Sequence, residues 1–516
     1  MTERHGMRAA SRWTRENQQE FYTALVATVL FSLVAHGFLF TNEMFSHDSI
    51  SYFTYSTGTP GFYLSIGRFA IPLYEWLKGA VAAPWLIGLL YMAWMTLASV
   101  LVCRVLDIHT RLGRIFTCGL LCTAPALSLT GATYIYCMDE YALALLLAAC
   151  AVWCFQKGGW RYLPGLAALT VSLAIYQAYF TVAAVLLMLI VLRRLAHNET
   201  AMAAVRLGIR FLLLLAAAFL LYYALWTLLC TVGDVEKRRV GESVLGGGSV
   251  FGLLKTANVQ WFRMLWHGTG VLTPLMRMVH IGLLLLLGGR LLSILRNGTL
   301  YQSSRILLAV LVCLLPTAFD SIYLLMSPEN VTQLMSFGEE LFYVLAVLAL
   351  EPEENKEEKR ASSMPAVCMA AAVLLGCVLW QQTVYANQVY MKKDLDKNAT
   401  LVLAARVLDR VELTEGYVPG ETPVSFAGRL DQNSYLNPGR DAFAGMDHTV
   451  GLWGDYSATY NLGRYLTDYL NAPLLWDTEA RPSAWPEVRE MPVFPAQGSV
   501  ALVRGTVVVK LSQDYR

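Results

Sequence analysis

Charged side chains are scarce along most of this 516-residue chain, and the few that interrupt its apolar runs sit where chemistry can be done. Asp48 and Arg68 lie in the first long polar loop. Asp139 and Glu140 open one apolar run, Arg277 and His280 sit one or two turns into another, and Asp320, Glu339 and Glu340 lie toward the ends of two more. Ionisable groups inside or beside membrane spans are expensive and are functional candidates by default. A carboxylate can take the proton of a hydroxyl as that hydroxyl attacks an anomeric carbon. A guanidinium matches a departing phosphate with its planar fork. Carboxylates, arginines and the tyrosines Tyr134, Tyr136, Tyr176 and Tyr179 near the lipid headgroups suit a substrate with a polar head and a lipid tail. The compatible reaction is glycosyl transfer from a lipid-linked sugar.

Each of these residues also has a plainer reading. Span-end acids are often solvated interface groups. Arg277 and Asp320 can form a structural ion pair between helices, and a lone His280 is more often a hydrogen-bonded core residue than a base. The tyrosines fit an interfacial aromatic belt. It is the collective placement of the acids, toward one side of the membrane, that favours a site.

The elements that must position them follow from composition. Hydrophobic residues make up 56% of the chain and charged residues 15%, against about 25% charged in a typical soluble domain; mean hydropathy is +0.46. Residues 21–384 read as long apolar runs, and residues 385–516 have globular composition. The chain is therefore expected to be an all-α polytopic membrane protein with a small α/β domain at its C-terminal end. A span needs about 20 apolar residues. Candidates are 21–40, 84–103, 114–131, 138–156, 161–176, 178–193, 208–231, 273–295, 305–326, 333–350 and 364–384, about eleven spans. The 1–20 segment, with Arg4, Arg8, Arg12 and Arg15, precedes a run longer than a signal-peptide core and is expected in the cytoplasm. Arg104, Arg111 and Arg114, then Lys157 and Arg161, Arg193 and Arg194, Arg206 and Arg210, Arg296 and Arg305, and Lys356, Lys359 and Arg360 all fall in loops that alternation puts on the same side, as the positive-inside rule requires. The loops 41–83 and 232–272 and the 385–516 domain then lie outside.

The stretch Leu163 to Leu192 is nearly continuous, broken only by Tyr176-Gln177-Ala178-Tyr179. As one helix it would run about 45 Å, too long for one span and too short for two complete ones. A hairpin whose turn lies below the outer surface resolves this, and irregular backbone at that depth is tolerated where it lines a cavity or is buried in protein. Leu64 to Lys78 reads as an amphipathic helix on the membrane surface, bent at Pro72. In the C-terminal domain Val389 to Leu413 reads as a helix, and Pro423 to Phe426 and Val500 to Leu511 as strands, the latter turning at Arg504-Gly505. Ten cysteines include two i,i+4 pairs, Cys118/Cys122 and Cys150/Cys154, but no C-x-x-C. With no further ligands near them, these read as small packing residues. No basic, aromatic-interleaved patch points to nucleic acid.

Ser46-His47-Asp48-Ser49, Gly67-Arg68-Phe69 and Pro84-Trp85-Leu86-Ile87-Gly88-Leu89 together resemble the start of the Gtr-type bacterial glucosyltransferases, the O-antigen-modifying, phage-seroconversion type. Asp139-Glu140-Tyr141-Ala142-Leu143-Ala144, Ser172 through Tyr179, and Val507-Val508-Val509-Lys510-Leu511-Ser512 extend the likeness along most of the chain. The resemblance implies a GT-C-like membrane enzyme of the bacterial inner membrane with an outward-facing site. It implies an inverting transfer of glucose from undecaprenyl phosphate to a surface glycan, with a separate donor synthase and flippase supplying the donor. It implies Asp48 as base, Asp139 and Glu140 sharing that role or binding hydroxyls, and Arg68 on the donor phosphate. Tyr176, Gln177, Tyr179, Arg277 and His280 are further substrate-binding candidates. A divalent metal is left open, since some GT-C relatives use one and others do not. The alternatives are a transporter or flippase for a lipid-linked saccharide, against which the lack of an internal repeat counts, and a glycan polymerase or ligase.

Overall fold

A computed structural model describes residues 2–46, 49–50, 60–79, 82–238, 250–267, 274–296, 300–326, 328–351, 366–430, 433 and 458–513. In lipid a backbone must satisfy its own hydrogen bonds, so the apolar runs become helices. After α1 (Thr2–Thr41), two short helices occupy the first loop, α2 (Pro60–Ser65) and α3 (Ile71–Lys78). Then come α4 (Pro84–Val105), α5 (Arg111–Thr123), α6 (Pro125–Thr133), α7 (Met138–Lys157), α8 (Tyr162–Ile175), α9 (Phe180–Ala196) and α10 (Ala201–Val232). Next are α11 (Val250–His267), α12 (Pro274–Arg296), α13 (Gln302–Phe319), the short α14 (Glu340–Val347) and the long α15 (Ala366–Glu412). The C-terminal end adds α16 (Ala458–Arg464) and α17 (Pro486–Glu490), with strands β1 (Pro423–Ala427), β2 (Leu475–Trp476), β3 (Val500–Val503) and β4 (Thr506–Lys510). Helix α7 packs against α4 and α8, and α1 packs against α4 and α5.

Among the described residues nine helical stretches are long and apolar enough to cross a bilayer, where about eleven were expected. The difference has two local causes. Helix α8 has 14 residues, about 21 Å, short of the ~30 Å hydrocarbon core. It ends at Tyr176, whose backbone is extended, and a single 3-10 turn, Gln177–Tyr179, leads into α9. This is the hairpin expected at 161–193, with its turn buried in protein. The 333–350 stretch is likewise not one helix: 3-10 turns at Gln333–Met335 and Phe337–Glu339 precede α14, whose 8 residues are followed by another at Leu348–Leu350. It nevertheless carries the chain to the end of the bundle where α4 and α5 are joined. The Glu351 carboxylate accepts from the N–H groups of His109 and Thr110, in the loop that joins α4 to α5.

The 114–131 run is also interrupted. Pro125 forces Ala124 out of the helical region (ψ 129°) and separates α5 from α6, as a residue before proline requires. The Cys122 carbonyl freed there accepts from the Tyr91 hydroxyl at 2.8 Å and meets His36 Nε2 at 2.8 Å. His36 in turn bonds the Tyr390 hydroxyl at 2.6 Å, tying α1 to α15. A buried broken helix thus keeps its backbone satisfied. All ten cysteines are free thiols.

Residue 385, expected as the start of a separate domain, lies inside α15. The span at 364–384 and the helix at 389–413 are one 47-residue helix, because nothing between them breaks it; at about 70 Å it is more than twice as long as the hydrocarbon core is thick. Its far end carries a four-stranded sheet of order β2-β1-β4-β3, parallel at β1/β2 and β1/β4 and antiparallel at β3/β4. Arg504 (φ +53°) and Gly505 (φ +78°) make the expected turn between β3 and β4, the two-residue hairpin that positive φ at both positions allows. Alternation along β4 sends Val507 and Val509 to a core with Leu403, Ala404, Val407 and Val411 of α15, and Val508 to Val488 and Met491 on the other face. Phe45 and Ile50 of the first loop join the α15 core. Phe45 packs on Tyr465 with ring centroids 4.8 Å apart, and Tyr469 donates to Glu43 at 3.2 Å. The C-terminal sheet and the start of the 41–83 loop are therefore on the same side of the protein.

Candidate functional site

The first loop builds the site. The predicted surface helix over Leu64–Lys78 is two short helices, because residues 66–70 form a turn instead of the expected bend at Pro72; that proline sits in the first turn of α3, where its missing N–H costs nothing. Leu73, Trp76 and Leu77 are exposed, and Glu75 is buried. One face of α3 is thus free to lie in the lipid interface while Tyr74 and Lys78, at i and i+4, reach inward. The Lys78 ammonium lies 3.0 Å from Asp139 Oδ1 and 2.8 Å from Glu140 Oε1, and also donates to the Tyr136 carbonyl at 2.9 Å. Tyr74 donates to Asp139 Oδ2 at 2.9 Å while accepting from the Trp94 indole N–H at 2.9 Å. Asp139 and Glu140 are fully buried in the first turn of α7, where the helix dipole also favours negative charge.

Burial by itself would lower the Lys78 pKa, but the charges of Glu140 and Asp139 outweigh it and hold the ammonium above its ordinary value. Burial, with the Asp139 charge, pushes the Tyr74 phenol up and keeps it a neutral donor. Burial also raises the Glu75 carboxyl, against the pull of Lys78 and of the Tyr63 hydroxyl that donates to it.

The turn at 66–70 delivers Arg68 to the same region. Its Nη1 donates to the Tyr141 hydroxyl at 3.2 Å, and its guanidinium lies 4.7 Å over the ring of Tyr176. Tyr141 and Tyr176 stack with centroids 4.1 Å apart and planes 2° from parallel; Tyr179 stands edge-on to both. Gln177 donates to the Ile66 carbonyl at 3.0 Å and to the Tyr222 hydroxyl at 2.8 Å, and Tyr222 donates to the Gly67 carbonyl at 3.1 Å. The 176–179 turn thus clamps the arginine-bearing turn from inside. Tyr136, Tyr176 and Tyr179 are buried, which corrects their reading as an aromatic belt: a belt faces headgroups, and these rings face protein. Glu140 Oε2 and the Tyr176 hydroxyl are buried and have no hydrogen-bond partner among the described residues. Such atoms are rare in native proteins and call for an explanation; a hydroxyl-rich ligand supplies one.

Gly67 allows this clamp. Its φ is +77°, and a Cβ there would collide with the Tyr222 hydroxyl and approach Gln177 Nε2 to 3.0 Å. Gly67→Ala is expected to lower stability by more than the ~1–2 kcal/mol of the left-handed backbone alone, and to slow turnover by displacing Arg68. Thermal unfolding in detergent checks it against Gly505→Ala, where φ is +78° but space is open. Equal shifts for the two variants would mean that the clamp is not tight.

Asp48 and His47 lie outside the described residues, but their neighbours are placed. Ser46 Oγ donates to the Thr133 carbonyl at the end of α6, and the Ser46 N–H donates to Ser49 Oγ at 2.7 Å. Both serines are buried, and Thr133 is followed by the 3-10 turn Ile135–Cys137 that leads directly into Asp139.

Arg277 and His280 are elsewhere. Arg277 donates to the Trp266 carbonyl at 2.8 Å and stacks over its ring, so the ion pair with Asp320 considered from sequence is replaced by a bond to α11. His280 bridges the Leu265 carbonyl and the Tyr343 hydroxyl, both at 2.8 Å, as a hydrogen-bonded core histidine. With Glu339, Glu340 and Gln382 it lines a small cavity of about 40 Å³. There the Glu340 carboxylate accepts from Gln382 at 2.7 and 2.9 Å. Tyr179 packs on Phe337 with centroids 5.6 Å apart and links this second polar group to the first.

Sequence reading missed Lys78, Tyr74 and Tyr222. Adjacent buried acids demand a counter-charge, and a lysine ending the polar face of α3 was the available signal. Among the described residues no three His, Cys, Asp or Glu side chains converge to hold a metal ion, and the Asp139–Glu140 pair is bridged by Lys78.

A bundle of apolar helices with a buried cation–carboxylate centre at the ends of its spans defines a multi-pass membrane protein with polar chemistry against the bilayer. The family described as Glucosyl transferase GtrII matches residues 37–351, more than half of the chain and every helix that builds this centre. The chain belongs to that family and is a membrane glycosyltransferase. No curated protein and no solved structure matches it.

Proposed function

We propose that the chain transfers glucose from a polyprenyl phosphate to a cell-surface glycan on the extracytoplasmic side of a bacterial inner membrane, as an inverting, GT-C-type enzyme. The observation that carries this reading is Arg68, held between Tyr141 and Tyr176 beside the Lys78–Asp139–Glu140 centre. It puts a phosphate-matching fork next to buried acceptors of hydrogen bonds, at the helix ends that the charge pattern places outside. In the proposed step Asp48 accepts the proton of the acceptor hydroxyl as its oxygen bonds to the anomeric carbon. The anomeric carbon–oxygen bond to the phosphate breaks, and the polyprenyl phosphate leaves with the bonding electrons. Arg68 stabilises the charge that develops on that phosphate. Glu140 Oε2 and the Tyr176 hydroxyl, buried and without a hydrogen-bond partner among the described residues, would meet sugar hydroxyls. The N-terminus is cytoplasmic, and the 385–516 region, whose core holds Phe45 and Ile50 of the first loop, lies outside to receive the acceptor glycan. A separate synthase and flippase would supply the donor.

Release of free polyprenyl phosphate from purified polyprenyl-phosphate glucose, acceptor and enzyme in detergent tests the reading. A flippase, which needs two compartments and breaks no bond, would release none. In the same assay Arg68→Ala is expected to slow release about 10²–10³-fold, the usual loss for one donor at a developing anion. An unchanged rate would remove Arg68 from the phosphate.

A further inference from the structure

A second, much larger space opens on the other side of the bundle. A cavity of about 1340 Å³ lies between α9, α11, α12, α13 and α14, larger than the ~300–1,000 Å³ of a small-molecule pocket. At one end Trp261 and Phe319 stack, with centroids 5.9 Å apart and Phe342 edge-on to both. From there the wall follows α12 from Leu284 to Arg296, about 18 Å of helix. That length matches one leaflet, half of the ~30 Å hydrocarbon core. Gly288 and Gly289 lie in this wall, and a Cβ at either would meet open space.

The other end is ionic, and its charges do not cancel. Arg193 is paired with Asp107 at 3.0 Å and also donates to the Leu106 carbonyl. Glu351 is spent at the start of α5, on the Thr110 hydroxyl at 2.6 Å and on two backbone N–H groups. Arg290 and Arg296 line the same end and have no hydrogen-bond or ion-pair partner among the described residues. The two acids at the mouth are thus accounted for, and two guanidinium groups are left over, on the side to which the positive-inside rule assigns the cytoplasm.

We propose that this cavity is a binding site for an anionic phospholipid of the cytoplasmic leaflet, with its phosphate on Arg290 and Arg296 and an acyl chain along the Gly288–Gly289 wall. Basic pockets between membrane helices on the cytoplasmic side are suited to anionic headgroups. The one-leaflet depth fits an acyl chain ending against Trp261. The site shares no residue with the Arg68–Lys78 centre, and its headgroup end lies on the opposite side of the membrane from that centre. It does not depend on the donor assigned above.

The test uses the full-length protein, purified in mild detergent and stripped of lipid. Phosphatidylglycerol and phosphatidylcholine of the same chain length are titrated while bound lipid is counted by native mass spectrometry. One phosphatidylglycerol is expected to bind in preference to phosphatidylcholine. The Arg290→Ala/Arg296→Ala variant is expected to bind it about 30-fold more weakly, and Arg290→Lys/Arg296→Lys to retain most of the affinity. Gly288→Phe, which fills the wall and leaves both arginines, is expected to weaken binding as well. Thermal unfolding of each variant without added lipid, at the wild-type temperature, confirms that it is folded. Equal binding of the two lipids, or unchanged binding in both the double-alanine and Gly288→Phe variants, overturns the proposal. Preferential retention of polyprenyl phosphate, lost in those same variants, overturns it in favour of a donor reservoir.

Discussion

Asp48→Asn is expected to abolish measurable sugar transfer while membrane insertion and abundance stay at wild-type levels. The amide has the volume of the carboxylate but cannot accept the proton of the attacking hydroxyl, and loss of a general base costs about 10²–10⁴ in rate. What makes Asp48 the choice over Asp139 or Glu140 is the commitment of those two. Asp139 is held through both oxygens by Lys78 and Tyr74, and Glu140 Oε1 meets the same ammonium, so three of their four oxygens already have a hydrogen-bond partner. The neighbours of Asp48 are meanwhile fastened to Thr133, just ahead of Asp139. The readout is the initial rate of polyprenyl phosphate release, with protein quantified in the membrane fraction. Full activity in Asp48→Asn would remove it from the base role and return the search to Glu140.

The second large effect is on stability. Lys78→Met removes the ammonium that bridges two fully buried carboxylates, and leaving a buried charge uncompensated costs about 3–5 kcal/mol. The variant is expected to unfold at markedly lower temperature in detergent and to accumulate poorly. Replacing all three groups, with Lys78→Met, Asp139→Asn and Glu140→Gln together, removes the charge imbalance and should recover much of that stability, because a neutral cluster of similar volume has nothing left to compensate. Activity separates the roles. If the centre only holds α3 against α7, the triple variant regains transfer; if Glu140 or Lys78 touches the sugar, it folds and stays inactive. Differential scanning fluorimetry and the release assay on the same preparations decide between them. An unchanged unfolding temperature in Lys78→Met would mean that the acids are neutral and need no counter-ion.

These two variants also mark how far the sequence could be read. Hydropathy is a local property, so the membrane class and the positions of most spans follow from residue order. The break between α8 and α9 was legible for the same reason: a run too long for one span and too short for two must turn where Tyr176-Gln177-Ala178-Tyr179 interrupts it. So was the β3–β4 turn, since Arg504-Gly505 is a local signal. Asp139 and Glu140 were legible as expensive charges at the start of an apolar run. Their partner was not, because Lys78 is 61 residues from Asp139 in the chain and meets it only when α3 lies across the start of α7. Arg277 and His280, equally conspicuous by position in an apolar run, turned out to bond α11 and Tyr343; cost marks a residue that needs a partner and does not name the partner.

What residue order determined, then, is a multi-pass membrane protein with its expensive groups beside and at the ends of its apolar runs, among them Arg68 and the Asp139–Glu140 pair. Only the tertiary structure decided that Arg68 rests on the stacked Tyr141 and Tyr176, that Lys78 bridges the two acids, and that Phe45 enters the C-terminal core. The reason is physical. Burial preference and turn chemistry are set by a residue and its near neighbours, whereas a charge pair or a ring stack depends on how whole helices cross, and crossing is decided by packing across the entire bundle.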